Sequence, residues 1–339
     1  MKGQTVGIAV TVLVVIALVW AFSGPAHSPS PPGAFSAALI TPGDVTDGGW
    51  SQSAYTGLKQ IEKELGARVQ NATAQASGLS SALDSLRTYL GEGTNVVFLH
   101  AGEWWRPQLV ELAGKHPKAQ IFVSGNDKDA EGNVAGLRFV LEDACYVLGY
   151  LAGKLTKSGV LGCVGPKKHP VIESTFEAFA AGAKEARPDA DVRIVWTDSW
   201  DDVAKAKEQT LALIGQNADL IFHNANNGAR GVFEAVQEHK DKGVLAFGSN
   251  DDQNALFPET ILASAVLDIP KTFLDVAAQV KAGSFDGKTQ IFGLPEGYVW
   301  VAFNPKLDAK IPAETKQACE ALIAKIKSRA FEVPRKSLK

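Results

Sequence analysis

From Ala37 onward the chain alternates short apolar runs with amphipathic stretches. The runs fall at 38–40, 95–99, 121–123, 160–164, 192–196, 220–222, 244–247 and 261–266. They are brief and rich in Val, Ile and Phe, the pattern of parallel strands buried on both faces. Between them, apolar residues recur at helical spacing. Ala54, Leu58, Ile61 and Leu65 share one face, with Ser51 as the expected N-cap. Phe176, Phe179 and Ala183 repeat the spacing, as do Val232, Phe233 and Val236. Phe273, Val276, Ala277 and Val280 do so again behind Pro270, a residue suited to a first helical turn. Strand–helix alternation predicts an α/β fold whose parallel sheets are covered by helices on both faces.

The chain has 339 residues, a length that suits two domains. Two lobes are expected: 36–137 with 265–285, and 138–264 with 286–339. A single closed (β/α)₈ barrel is the rival architecture. Ahead of the lobes, an apolar run at 6–22 follows Lys2. A signal peptide needs an apolar core of ~7–15 residues, and a membrane span needs ~17–25. Residues 1–23 therefore read as a cleaved signal peptide or a retained anchor, and the Pro/Ser-rich stretch 24–35 as a semi-rigid tether. Either outcome places the rest of the chain outside the cytoplasm. No cysteine follows the apolar run, so a lipid anchor is not expected.

Composition narrows the function. Net charge is −3 with no basic block, so nucleic acid is not an expected partner. Six histidines are scattered and three cysteines lack metal-type spacing, so neither a metal nor a cofactor is expected. No nucleophile elbow, Walker A sequence or zincin motif occurs. Gly91-Glu-Gly93 precedes its strand and cannot cradle a pyrophosphate. The acid pairs Asp201-Asp202 and Asp251-Asp252 read as helix-entry residues. A non-enzymatic protein is expected. Cys145 and Cys163 should lie close together, as a disulfide or as two buried thiols, and Cys319 should be core.

In open α/β sheets, ligands bind beyond the carboxyl ends of the strands. The loops there run Thr41 to Trp50, Gly102 to Trp105, Thr197 to Asp202, His223 to Asn227 and Gly248 to Gln253. Trp50 and Trp200 are candidates to stack on a flat ring, at ~1–3 kcal/mol per contact. Trp196 could replace Trp200. Of Trp104 and Trp105, one is expected to line the cleft and the other to pack. Hydrogen bonds would come from Asp47, Asn224, Asn250 or Asp268. Asn224, Asn226 and Asn227 have a second reading, as caps of the next helix.

Several stretches carry a family resemblance. They are Asp47-Gly-Gly-Trp-Ser-Gln-Ser-Ala-Tyr-Thr-Gly-Leu58, Glu142-Asp-Ala-Cys-Tyr-Val-Leu-Gly-Tyr-Leu-Ala-Gly153, Gly162-Cys-Val-Gly165 and Phe179-Ala-Ala-Gly-Ala183. Asn217-Ala-Asp-Leu-Ile-Phe222, Gly248-Ser-Asn-Asp-Asp-Gln253 and Ile261-Leu-Ala-Ser264 complete the set. In this order they resemble the basic membrane protein family, the purine nucleoside receptor A-like substrate-binding proteins of bacterial ABC importers. The resemblance covers residues 37 to about 330. It implies a type I periplasmic-binding-protein fold, with two lobes, three crossovers and a ligand in the cleft. It also implies a purine held between two aromatic rings, and a ribose held by acidic groups and a lysine. Trp50 and Trp200 occupy the ring positions. Asp44 and Asp47 belong to the same first loop. Ser51 stands where the family often has Asn, Asn250 where it often has Asp, and Thr41 where an early Asp is common. Leu267 and Asp268 lie where the lysine is expected. The implied role is capture of a purine nucleoside or related heterocycle, by a monomer that delivers it to an ABC permease. A sugar or other small solute, and a membrane-tethered sensor, are the alternatives.

Overall fold

The computed structural model describes residues 34–47, 49–74 and 78–335. The apolar run at 6–22, its cleavage site and almost all of the linker lie outside them. By its Cα packing the folded body begins at Phe35.

In chain order the first elements are β1 (Ser36–Thr41), α1 (Trp50–Leu65), β2 (Arg68–Thr73), α2 (Leu79–Gly91), β3 (Val96–Leu99), α3 (Pro107–Gly114), β4 (Gln120–Ser124) and β5 (Val134–Phe139). There follow α4 (Glu142–Leu155), β6 (Val160–Gly165), α5 (Pro170–Ala186), β7 (Asp191–Trp196), α6 (Val203–Gly215), β8 (Leu220–His223), α7 (Ala229–Glu238), β9 (Leu245–Asn250) and β10 (Ile261–Leu267). The chain closes with α8 (Ile269–Ala282), β11 (Gln290–Phe292), β12 (Val299–Phe303) and α9 (Ala313–Lys327).

These strands build two sheets, ordered β11-β5-β4-β3-β1-β2 and β12-β10-β9-β8-β6-β7. All pairings are parallel except β12 on β10. Two open sheets rule out the closed barrel. Strand β1 explains why the apolar runs are continuous. Its Ala38 and Ile40 join a cluster with Leu86 and Leu109 of α2 and α3. Its Ala37 and Leu39 face the opposite way, with Leu58 and Ile61 of α1 and Phe273 of α8. Both faces are dry, so the middle of the strand is apolar on each side.

The expected lobe boundaries need correction in three places. Residues 138–139 complete β5 and stay with the first sheet. Residues 265–267, expected with the first lobe, lie in β10 and pair with β9 and β12 of the second. Residues 290–292, expected with the second lobe, pair with β5 in the first sheet. A crossover begins where a hydrogen-bond ladder ends, and a periodicity change does not mark that point. Strand β2 was not expected either: Arg-Val-Gln-Asn-Ala-Thr is an edge strand, half wet, and lacks an apolar run.

Small residues set the helix spacing. An added Cβ on Gly182 of α5 would lie 2.0 Å from the Tyr146 carbonyl of α4, and one on Gly149 would lie 1.9 Å from the Phe179 carbonyl. The two helices therefore touch backbone to backbone. Between them and the sheet, Cys145 and Cys163 are free, buried thiols, as is Cys319 on α9. Burial pushes the Cys145 thiol well above its ordinary value, with the charge of Glu142 and the neighbouring Cys163 adding to it.

Candidate functional site

Helix α1 starts at the carboxyl end of β1, and its first turn forms one wall of a slot. The expected cap, Ser51, lies inside that turn with its side chain buried. Asp47 does the capping. Its Oδ1 accepts from the N–H groups of Gly49 at 2.9 Å and Gln52 at 3.0 Å, and its Oδ2 from Ser51 at 3.0 Å. A carboxylate on unpaired helix amides is worth about 1 kcal/mol. Both of its oxygens are thereby committed. Asp44 is exposed and closes a turn through Thr46 N–H at 2.8 Å and the Thr46 hydroxyl at 2.7 Å, which together hold its carboxyl below its ordinary value. Thr41 is fully buried and donates to Gly43 O at 2.8 Å.

Trp50 is half-buried. One face of its indole lies on His100, and Phe139 meets the ring edge-on at 5.8 Å. Its Nε1–H donates to His100 O at 2.9 Å, and His100 Nε2 approaches Trp50 O at 3.1 Å. A carbonyl only accepts, so Nε2 carries the proton. Nδ1 has no partner. Burial holds this ring neutral, with its pKa pushed down to about 3.

The slot is bordered by Gly49, Trp50, Ser53 and Ile269 on one side. On the other stand Ala225, Asn226, Ser249, Asn250, Asp251 and Gln253, from the loop after β8, the end of β9 and the loop that follows it. Its cavity volume is only about 10 Å³, so the slot is narrow as it stands. At Gly49 the lobes touch: a Cβ there would sit 3.2 Å from Asn226 Oδ1. Asn250 holds a left-handed backbone, φ 67°, which Asn tolerates better than most residues. Its Nδ2 donates to Asn224 Oδ1 at 2.9 Å, and Asn224 Nδ2 donates to Thr175 Oγ1 at 3.2 Å. Asn224 is thus a buried support of the slot and does not cap α7.

Other expected residues sit elsewhere. Trp104 and Trp105 are both buried in the cluster under α2 and α3, so neither borders the slot. The expectation that one lines it is corrected: this loop's short 3₁₀ turn, Gly102–Trp104, folds both rings onto the outer face of the first sheet. Trp200 is half-buried against the central cluster, and its carbonyl accepts from Gly228 N–H at 3.1 Å. It does not border the slot. Trp196 packs on Phe176 at 5.6 Å. Asp268 caps α8 through Lys271 N–H at 2.9 Å, next to the slot residue Ile269. Asp202 caps α6 through Lys205 N–H at 2.9 Å.

Sequence reasoning named the loops that hold Asn226, Asp251 and Gln253, but did not single out Ser53, Asp251 or Gln253 as slot residues, nor His100 and His223 as supports. All but Ser53 lie at or just beyond strand ends, which is the signal that could have found them. A further polar group lies at the first crossover. Arg138 and Glu142 form a fully buried ion pair, and Ser174 donates to Glu142 Oε1 at 2.7 Å. Burial raises the adjacent Asp143 to about 6, opposed by the Leu294 N–H and by Arg335. Among the described residues, no three His, Cys, Asp or Glu side chains are grouped to hold a metal. No described helix is long and apolar enough to cross a membrane.

A family model described as "ABC transporter substrate-binding protein PnrA-like" matches residues 34–337. A purine-binding protein of Brucella abortus is 27% identical over 318 residues, covering 93% of this chain and 87% of the relative. Basic membrane protein A2 of Borrelia garinii is 25% identical over 302 residues, covering 88% and 87%. Among solved structures, an ABC transporter solute-binding protein from Aeropyrum pernix superposes with a TM-score of 0.77 at 19% identity, covering 89% of this chain and 94% of that one. A transcriptional activator of the comK gene from Bacillus halodurans superposes with a TM-score of 0.73 at 20% identity, covering 89% and 100%. These likenesses establish the fold as that of the type I periplasmic solute-binding proteins.

Proposed function

The chain belongs to the PnrA-like family of ABC transporter substrate-binding proteins, and from that premise we propose that it captures a purine nucleoside or a related aromatic heterocycle. Substrate-binding proteins of ABC importers work outside the cytoplasm and hand a small molecule to a membrane permease. The single observation that carries the ligand reading is the composition of the slot. One wall is an indole whose far side rests on His100, and the other is a row of amide and carboxylate side chains. A ring face opposite a few fixed polar groups suits a flat, uncharged, hydrogen-bonding ring better than a charged or purely apolar solute. The purine-binding relative supports the same reading. Trp200 completes the proposal as a second ring, because its carbonyl holds Gly228, two residues beyond the slot residue Asn226. On closure around a ligand it would approach from the second lobe.

The deciding experiment is calorimetric titration of the exported body with nucleosides, nucleobases, thiamine-like heterocycles and pentoses. Saturable binding of a purine or its nucleoside is expected. Binding of pentoses alone would replace this reading with a sugar carrier.

A further inference from the structure

Amide side chains do not announce which end faces a ligand, but two of the three that border this slot, Asn250 and Gln253, are held by their neighbours. The backbone N–H of Ser249 points at one atom of the Gln253 amide from 3.0 Å. A backbone N–H only donates, so that atom is the oxygen. His223 adds a second constraint. Its Nδ1 accepts from Ala225 N–H at 3.2 Å, so the neutral ring carries its proton on Nε2, which donates to the same Gln253 oxygen at 3.0 Å. Burial keeps the ring neutral by pushing its pKa down to about 4. With Oε1 committed twice, the amino end of Gln253 is the end left for the slot.

Asn250 is held in the opposite sense. The Thr175 hydroxyl donates to Ile172 O at 2.8 Å, so its oxygen accepts from Asn224 Nδ2. Asn224 Oδ1 then accepts from Asn250 Nδ2. The chain is anchored at a carbonyl, which only accepts, so every polarity along it is settled. Asn250 is left with its oxygen for the slot.

Resting on the heterocycle reading above, we propose that the slot reads one edge of an uncharged ring, with Gln253 Nε2 donating to an acceptor and Asn250 Oδ1 accepting from an N–H. His223 and the Asn224–Thr175 pair are positioning residues that hold those polarities. The lactam edge of a 6-oxopurine, a carbonyl beside an N–H, matches both. The amidine edge of a 6-aminopurine offers the same pair in reverse order. A purine unsubstituted at position 6 keeps a ring acceptor but has no N–H there, and matches half.

The test pairs inosine with nebularine, and 9-methylhypoxanthine with 9-methylpurine for a slot that excludes ribose, on the full exported body. The parent should prefer the 6-oxo member by about tenfold or more, the worth of one or two hydrogen bonds. Gln253→Glu keeps an oxygen for Ser249 and His223 but turns the slot-facing donor into an acceptor. It should weaken the 6-oxo ligand by about tenfold or more. His223→Phe keeps the ring's bulk against Phe233 and removes one of the two donors that hold the Gln253 oxygen, leaving the amide fixed by Ser249 N–H alone. It should bring the ratio between the paired ligands toward one while circular dichroism and melting stay near the parent's. Equal binding of the paired ligands by the parent, or an unaltered affinity in Gln253→Glu, would overturn the polarity assignment and leave the heterocycle reading standing. A parent that binds none of the four but takes another heterocycle overturns the polarity assignment alone, and one that binds no heterocycle overturns both.

Discussion

The imidazole of His100 lies flat on the indole of Trp50, with ring centroids 4.0 Å apart and planes 17° from parallel. Two reciprocal bonds lock the pair, Trp50 Nε1–H to His100 O and His100 Nε2–H to Trp50 O. Phe273 meets the imidazole edge-on at 5.4 Å and stacks on Phe98 at 4.1 Å. The slot wall is therefore the tip of a rigid aromatic column that reaches into the first lobe.

Such a wall should act as a preformed stacking surface. Trp50→Ala and Trp200→Ala should each weaken the bound heterocycle by about 1–3 kcal/mol, roughly five- to 150-fold, and Trp50→Phe should cost much less. Calorimetry with circular dichroism as the folding control checks this. Full affinity in both alanine variants would remove the aromatic clamp.

Stability should depend on pH through two buried histidines. His100 and His223 are lowered to about 3 and about 4, so from there to about 6.5 the unfolded chain binds their protons and the folded one does not. Their contribution is present above 6.5 and is lost as pH falls. Asp143, raised to about 6, works the other way between 3.8 and 6. The balance is about one proton, so stability should rise by about 1.4 kcal/mol per pH unit between pH 4.5 and 6. Urea unfolding across that range measures the slope, and His100→Phe should flatten it.

Gly182→Ala should be severe. Its methyl would lie 2.0 Å from a backbone carbonyl of α4, which cannot swing aside as a side chain would. A loss of about 3 kcal/mol or more is expected, at the upper end of overpacking costs. Gly215→Ala, with open space around it, is the control and should melt near the parent.

Glu142→Ala should cost about 3–5 kcal/mol, because it leaves the Arg138 guanidinium buried without its partner. Arg138→Met combined with Glu142→Leu should recover most of that loss. A double variant no more stable than Glu142→Ala would mean that the pair contributes more than the removal of an unpaired charge.

Sequence reasoning reached the fold because parallel strands buried on both faces must be apolar throughout, and helices between them must be apolar on one face. That constraint is local, so eight runs and four helices were legible without coordinates. It also located the loops at the strand ends, and Trp50 and Asn250 among them. What it could not supply is which of several polar or aromatic neighbours turns inward. Asp47 serves its own helix, Trp104 and Trp105 pack outward, and Trp200 packs on the central cluster outside the slot's border. Gln253 and His223 acquire meaning only through each other, 30 positions apart in the chain. Side-chain direction in a loop depends on contacts closed by distant strands, and hydrogen-bond polarity depends on a chain of partners. Those two properties belong to the tertiary structure, whereas hydrophobic periodicity belongs to the sequence.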